Sequence, residues 1–210
     1  MVRNLMMIIG LSLAVAAIGC ETDEGSTGGG GTAGSGGTAG SGGTAGGCGS
    51  GPVTDACLND ADQGVYDGVD YVDDKGEASS GTEAVAAIAA DCVRGSVSSV
   101  PPVEGCGLEL AAIIGCATAM PPNCPPEDVQ TVATCVEDCT QTAIAEITGG
   151  DMLSDQCIGC YGATVSCGAA ECAIDCVNDA TADICVNCRC DQGCTPNFET
   201  CSGVTSTDCG

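Results

Sequence analysis

Apolar residues recur at helical spacing in the second half of the chain, most clearly after Pro125-Pro126. The spacings between them are four, three, four and four residues, the stripe of an amphipathic helix, at Val132, Val136, Cys139, Ala143 and Ile147. Pro126 suits the first helical position, and Gly149-Gly150 ends the pattern. The sequence therefore predicts a helix that begins at Pro126 and ends before Gly149.

Shorter helices are predicted on both sides of this one. Upstream they are two Ala-rich runs, Thr82–Val93 and Glu109–Thr118. Downstream they are a helix capped by Ser154, one over 170–177, one beginning at Thr181 or Asp183, and a last one that Thr195-Pro196 begins and that holds Phe198. Strand-like alternation of Val, Ile and aromatic residues is hard to find. The predicted fold class is therefore all-α, a small disulfide-stapled domain of short antiparallel helices.

The first twenty residues predict an export signal. Arg3 precedes an apolar run from Leu5 to Ile18, which is shorter than the roughly 20 residues that span a bilayer but suits a signal-peptide core. The run ends in Ala17-Ile18-Gly19-Cys20, which resembles a bacterial lipobox. That resemblance implies cleavage after Gly19 and diacylation of Cys20, and two or more acyl chains anchor a protein stably. An ordinary secretory signal, with Cys20 as a disulfide cysteine, is the alternative.

A Gly/Ser/Thr-rich stretch separates Cys20 from the rest of the chain. Residues 20–47 contain the repeat GTAGSG at 31–36 and again at 37–42. Such a sequence buries too little apolar surface to offset its conformational entropy, so a disordered linker with a mean reach of about 30 Å is predicted. An Ala-rich helical part, 48–124, and a cysteine-rich helical part, 125–210, then form one continuous folded unit over 48–210.

The composition indicates that disulfide bonds, and not a large apolar core, stabilise the fold. The 210 residues include 20 Cys but one Phe, three Tyr and no Trp, so disulfides are expected to replace the aromatic core that most domains have. The structural disulfide candidates are Cys135, Cys139, Cys157, Cys160, Cys167, Cys172, Cys176, Cys185, Cys188, Cys190, Cys194, Cys201 and Cys209. Removing Cys20 leaves an odd number, and Cys48, at the edge of the linker, is predicted to be the unpaired one.

Two Cys-x-x-x-Cys pairs suggest a specific pairing. Cys135 and Cys139 share one helix face, as do Cys172 and Cys176 if 170–177 is helical. Two such helices that pack antiparallel would be joined by two disulfides, Cys135–Cys176 and Cys139–Cys172, which we call the two rungs. This pairing is a hypothesis, because spacing alone does not fix connectivity.

Charge and missing residue types exclude several classes of function. The chain has no His, which removes Ser-His-Asp triads, Cys-His dyads and His-ligated zinc. Four Lys+Arg against 29 Asp+Glu leave no basic surface for nucleic acid. The acidic stretches Asp60–Gly64 and Asp67–Asp74 do not fit the EF-hand pattern, so they are interpreted as solvated acidic loops. No metal, cofactor or catalytic residue is predicted.

The cysteine pattern resembles that of the cysteine-rich lipoproteins abundant in myxobacteria. The motifs concerned are Cys135-Val-Glu-Asp-Cys139, Cys157-Ile-Gly-Cys160-Tyr161, Cys167, Cys172, Cys176, Cys185-Val-Asn-Cys188, Cys194 and Phe198-Glu-Thr-Cys201-Ser-Gly. The Gly-Thr-Ala linker and the lipobox are similar as well. This resemblance implies an envelope lipoprotein and adds no catalytic residues, because no activity is assigned to the family.

We therefore expect an exported, non-enzymatic lipoprotein with a structural or extracellular binding role. Its acyl chains on Cys20 would enter the bilayer, and Glu21 after that cysteine favours the outer membrane. A protein partner in the envelope or outside the cell is expected, but the sequence does not identify it. Two alternatives remain open: sequestration of Cu(I) or Zn by Cys-x-x-x-Cys helices, and thiol-disulfide exchange through Cys157-x-x-Cys160 or Cys185-x-x-Cys188.

Overall fold

A computed structural model describes residues 53–73, 75–97, 103–119, 122–176 and 179–209. The predicted leader and linker, with Cys20 and Cys48, lie outside these described residues. All described residues belong to one unit of the chain, Gly42–Gly210.

Eight helices and four short strands follow one another within the described ranges. In chain order they are α1 Asp60–Tyr66, β1 Asp70–Val72, β2 Ala78–Ser80, α2 Gly81–Arg94, β3 Ser96–Val97, β4 Val103–Glu104, α3 Gly107–Ala117, α4 Pro126–Thr148, α5 Asp155–Glu171, α6 Ala173–Cys176, α7 Asp183–Asp191 and α8 Cys194–Ser202. The prediction of a mostly helical, disulfide-linked fold is confirmed.

Two antiparallel ribbons were not predicted. β1 pairs with β2, with Tyr71 opposite Ser79, and β3 pairs with β4, with Val97 opposite Val103. Each strand is only two or three residues long. A period of two cannot be recognised over so few residues, which is why the sequence pattern missed these strands.

Helices α4 and α5 pack against each other at the centre of the fold. α4 has the predicted bounds, and its inner face buries Val132, Val136 and Ile144. α5 begins after Ser154, whose hydroxyl accepts a hydrogen bond from the Cys157 backbone N–H, as expected for an N-cap.

The two helices approach closely at Gly162. A Cβ atom there would lie 2.8 Å from the Ala133 carbonyl oxygen and 2.6 Å from the Glu137 side chain. Glycine is therefore required at this crossing for steric reasons, even though it weakens a helix.

The core consists of small apolar side chains with a few tyrosines. α2 contributes Val85 and Ile88, α3 contributes Ile113, and all three are fully buried. The buried rings of Tyr66 and Tyr161 fill the space between α1 and α5, and the ring of Phe198 in α8 meets Tyr161 edge-to-face at 4.9 Å. Three of the chain's four aromatic rings therefore meet around Tyr161 of α5.

α2 and α3 differ from their predicted bounds by one or two residues, and two further predicted helices differ in how they begin or continue. The helix predicted over 170–177 does not form as one piece, because α5 continues to Glu171 and Cys172 is its C-cap, with φ −121° and ψ 18°. Only the short α6 follows it. α8 begins at Cys194 after Gly193 in the left-handed region, so Thr195 lies inside the helix and does not cap it.

The prediction that 60–64 is a solvated loop is also wrong. These residues form most of α1, and Asp62 is only 1% exposed. Its carboxylate accepts hydrogen bonds from the Ser154 backbone N–H at 2.6 Å, from the Ser154 hydroxyl at 2.8 Å and from the Asn59 amide at 2.5 Å. Asp62 therefore joins α1 to the start of α5, a partnership 92 residues apart that no local pattern reports.

Within the described ranges, no helix is both long enough and apolar enough to cross a bilayer.

Candidate functional site

Sulfur chemistry dominates the folded unit. All eighteen cysteines of the described ranges form nine disulfides: Cys57–Cys157, Cys92–Cys139, Cys106–Cys135, Cys116–Cys124, Cys160–Cys201, Cys167–Cys194, Cys172–Cys188, Cys176–Cys185 and Cys190–Cys209. Nine disulfides indicate an oxidising environment outside the cytoplasm. All thirteen candidate cysteines lie in these bonds.

The two rungs predicted between the Cys-x-x-x-Cys pairs are wrong. Cys135 and Cys139 do share a face of α4, but that face meets α2 and the start of α3, so the bonds are Cys106–Cys135 and Cys92–Cys139. Cys172 and Cys176 bond to α7, through Cys172–Cys188 and Cys176–Cys185. The break of the helix at Cys172 removes the shared face on which the rungs depended.

Three disulfides that were not predicted link the Ala-rich part, 48–124, to the cysteine-rich part, 125–210. They are Cys57–Cys157, Cys92–Cys139 and Cys106–Cys135. A partial signal existed for one of them, because Cys92 continues the apolar stripe of α2 through Val85 and Ile88 and so had to face the interior.

The Cys-x-x-Cys motifs do not form internal disulfides. Cys157 bonds to Cys57 and Cys160 to Cys201, while Cys185 bonds to Cys176 and Cys188 to Cys172. An exchange motif of the thioredoxin type needs its two cysteines to bond each other. The observed partners make these four cysteines structural cross-links.

A hydroxyl-rich groove runs along α4, beside β4 and α3. It encloses about 670 Å³ and is lined by Glu104, Glu109, Thr131, Thr134, Asp138 and Thr142, with Cys135 and Cys139 among the other lining residues. Spacings of three and four residues place the α4 members of this set on one side of the helix.

The groove offers more hydrogen-bond acceptors than donors, although the Gln130 amide and the Thr134 hydroxyl can donate. The hydroxyls of Thr131 and Thr142 donate to the Glu127 and Asp138 carbonyl oxygens, so only their lone pairs remain for a ligand. Three carboxylates, those of Glu104, Glu109 and Asp138, add negative charge. No lysine or arginine is among the lining residues that the structure describes.

The chain's own cations are engaged elsewhere. In the part of the chain that the structure describes, each cationic side chain lies in an ion pair: Lys75 with Asp179 at 2.9 Å, Arg94 with Asp91, and Arg189 with Asp208 at 3.1 Å. The hydrogen bond from Lys75 holds the pKa of Asp179 well below its usual range. None of these three ion pairs involves a carboxylate of the groove.

One set of side chains near the groove has the composition of a metal site. The Sγ atoms of Cys106 and Cys135 and a carboxylate oxygen of Glu109 lie within 4.8 Å of one another. It is the only set of at least three such ligand groups within the described ranges. In this structure the two sulfurs are bonded to each other, so the set is in an oxidised form.

Two other clusters have shifted pKa values. Burial raises the pKa of Tyr66 to about 12, and it raises that of Tyr161 even further. Their hydroxyl oxygens are 3.1 Å apart, and Tyr66 Oη is 3.2 Å from Cys157 Sγ. Burial beside Gly162 raises the pKa of Glu137, and the charge of Asp138 adds to the effect. Both clusters lie between packed elements and serve the fold.

Comparison with known proteins identifies no relative. No protein-family model, no curated protein and no solved structure matches this chain.

Proposed function

We propose that the protein is an exported, lipid-anchored module of the cell envelope with a binding role and no catalysis. The observation that carries the proposal is the disulfide map, in which all eighteen described cysteines are paired. Paired cysteines in this number belong to a protein that has left the reducing cytoplasm. The resemblance to myxobacterial cysteine-rich lipoproteins supports the same assignment.

The proposed anchor is an acylated Cys20. Of the 20 cysteines in the sequence, 18 are bonded to each other, which leaves Cys20 and Cys48. Cys20 follows the apolar leader directly, and two acyl chains on one cysteine suffice for stable anchoring. The linker would then hold the folded unit away from the outer membrane while leaving it free to rotate.

The proposed binding surface is the groove along α4. It combines an open volume with three carboxylates and hydroxyl lone pairs. A partner that presents ammonium or guanidinium groups would satisfy these acceptors, and the excess negative charge of the chain would speed its approach. We therefore infer a cationic, donor-rich segment of an envelope or extracellular protein as the partner.

Membrane fractionation tests the anchor. The wild-type protein is expected in the detergent phase of a detergent–water partition, and Cys20→Ser in the aqueous phase with its disulfides intact. Cys48→Ser is the matched control and is expected to partition like the wild type. Partition of the wild type into water would refute the lipid anchor.

Titration with a fluorescent hexalysine peptide tests the groove. At about 0.15 M salt, exposed charges more than about 8 Å apart are largely screened from each other, so contacts within the groove dominate. The triple variant Glu104→Gln/Glu109→Gln/Asp138→Asn is therefore expected to bind several-fold more weakly than the wild type. The control removes three acids from exposed positions that do not line the groove, as Glu83→Gln/Glu171→Gln/Asp151→Asn, and has the same net charge. Equal losses in both variants would show that binding follows net charge and would refute the groove.

A further inference from the structure

We propose that Cys106, Cys135 and Glu109 form a zinc site when the Cys106–Cys135 disulfide is reduced, so that metal binding at the groove depends on redox state. This goes beyond the binding role proposed above and does not depend on it. The hexalysine test needs the oxidised protein, whereas the zinc site exists only in the reduced one.

The chemistry of the three groups suits zinc. Two thiolates and one carboxylate are ligand types that Zn²⁺ accepts, and a fourth, tetrahedral position would be filled by water from the groove. Cysteine sulfurs on a tetrahedral zinc lie about 3.8 Å apart, given Zn–S bonds of about 2.3 Å. The Cα atoms of Cys106 and Cys135 are 5.8 Å apart, which allows that separation by side-chain rotation alone.

The position of the Cys106–Cys135 disulfide beside the groove gives a small reductant access to it. Cys135 and Glu109 both line the groove and are partly exposed, while Cys106 is fully buried behind them. A small dithiol in the groove can therefore reach the Cys135 sulfur. The Cys92–Cys139 bond one helical turn further along α4 is more deeply buried, with exposures of 0% and 4% for its two residues.

A neighbouring disulfide and helix packing would keep the two thiols close after reduction. The buried Cys92–Cys139 bond holds α4 against α2, and α3 packs against both helices. Cys106 immediately precedes α3 and Cys135 lies in α4, so both remain attached to elements that pack together without the Cys106–Cys135 bond. The ligands are therefore positioned by the fold before metal arrives, which favours binding.

A dithiol can supply the two electrons that reduce the Cys106–Cys135 disulfide. One of its thiolates attacks Cys135 Sγ, the Cys135–Cys106 bond breaks, and the second thiol closes the reductant's own disulfide. Two electrons and two protons thereby pass to the cysteine pair. Zn²⁺ then binds the two sulfurs and displaces both protons, with no further change in oxidation state.

The experiment uses the full-length protein in detergent, treated with limiting dithiothreitol with or without equimolar zinc. After removal of the reductant, zinc is chelated and free thiols are alkylated and located by peptide mass. With zinc, alkylation is expected at Cys106 and Cys135, and one zinc should be bound per chain. Without zinc, the pair should reoxidise and escape alkylation.

Variants separate a metal site from simple reduction. Glu109→Gln is expected to weaken zinc binding by at least about tenfold, the loss that removal of an outer-shell partner of a ligand already causes. Glu127→Gln, in the first turn of α4, should leave zinc binding unchanged. Cobalt(II) in place of zinc should show thiolate-to-metal charge-transfer absorption in the wild type. That band should disappear in Cys106→Ser/Cys135→Ser and persist in Cys190→Ser/Cys209→Ser.

Three results would overturn the proposal. They are zinc binding that is no greater in the reduced protein than in the oxidised one, zinc-protected thiols located at other cysteines, and cobalt absorption that survives loss of Cys106 and Cys135. Because the zinc-protected thiols are located in the wild-type protein, an unstable double variant does not obscure that result.

Discussion

The disulfide between Cys57 and Cys157 should contribute more to stability than any local cross-link, and its effect can be estimated from the structure. It spans 100 residues of sequence, but the Cys92–Cys139 bond shortens the loop that it closes. The shorter path has 35 residues from Cys57 to Cys92 and 18 from Cys139 to Cys157, about 53 in all, for which the chain-entropy relation gives about 4 kcal/mol. Cys116–Cys124 closes a loop of 8 residues, for which the same relation gives about 2.5 kcal/mol.

Two double-alanine variants remove these disulfides one at a time. Cys57→Ala/Cys157→Ala should lose at least about 1.5 kcal/mol more free energy of unfolding than Cys116→Ala/Cys124→Ala. Burial should enlarge the difference, because Cys57 and Cys157 are fully buried whereas Cys116 and Cys124 are partly exposed. Loss of the fully buried atoms leaves a cavity.

Guanidinium denaturation without reductant, followed by circular dichroism, measures the difference. The slope of the free energy against denaturant is compared in all three proteins, since cross-links alter the surface exposed on unfolding. Equal losses in the two variants, or a larger loss for the local bond, would refute the account in which long-range sulfur bonds replace a large core.

Three further predictions concern the packing of α5 and the buried acids. Gly162→Ala should destabilise the protein by about 1–3 kcal/mol, because the added Cβ would collide with the α4 backbone. In Gly159→Ala, in the same helix, the added Cβ meets nothing within 4 Å, so this variant should be stabilised by up to about 1 kcal/mol. Thermal unfolding measures both changes, and stabilisation by Gly162→Ala would contradict the close crossing of α4 and α5. The pKa of Glu137 is raised in the folded state, so protonation of this side chain stabilises the fold at low pH, and that contribution is lost as the pH rises. The free energy of unfolding of Glu137→Gln should therefore increase relative to that of the wild type from pH 4 to pH 7. A difference that stays constant with pH would contradict this. Asp62→Ala should lower the free energy of unfolding by about 2–4 kcal/mol, because it leaves two Ser154 donors without their acceptor. The exposed control Asp60→Ala should lower it by no more than about 1 kcal/mol. Similar losses in denaturant titrations of the two variants would argue against the buried network.

The helices could be predicted because their signals are local. The spacing of Val132, Val136 and Cys139, with a proline before them and glycine after, defined α4 to within a residue. Ser154 as an N-cap defined the start of α5 in the same way. Such signals depend only on residues within one or two turns of each other.

The cross-links could not be predicted because they depend on which helix faces meet. The shared face of Cys135 and Cys139 was correctly inferred, but it meets α2 and the start of α3 and not the residues around Cys172. Eighteen cysteines allow very many pairings, and spacing does not choose among them. The zinc-type ligand set has the same origin, since Glu109 and Cys135 come from different helices.

The buried acids were missed for a related reason. Asp62 belongs to an acidic stretch that sequence composition assigns to solvent, yet its carboxylate is enclosed by Asn59 and Ser154. Charge alone does not reveal partners that are distant in sequence. A buried carboxylate is tolerated only when such donors surround it.

Intact mass spectrometry of the membrane-extracted protein, alkylated without reduction, tests export, lipid anchoring and disulfide formation in one measurement. The protein is expected to begin at Cys20, to carry acyl chains there, and to have nine disulfides with a single alkylated thiol at Cys48. A chain without acyl mass and with most of its thiols alkylated would contradict this expectation.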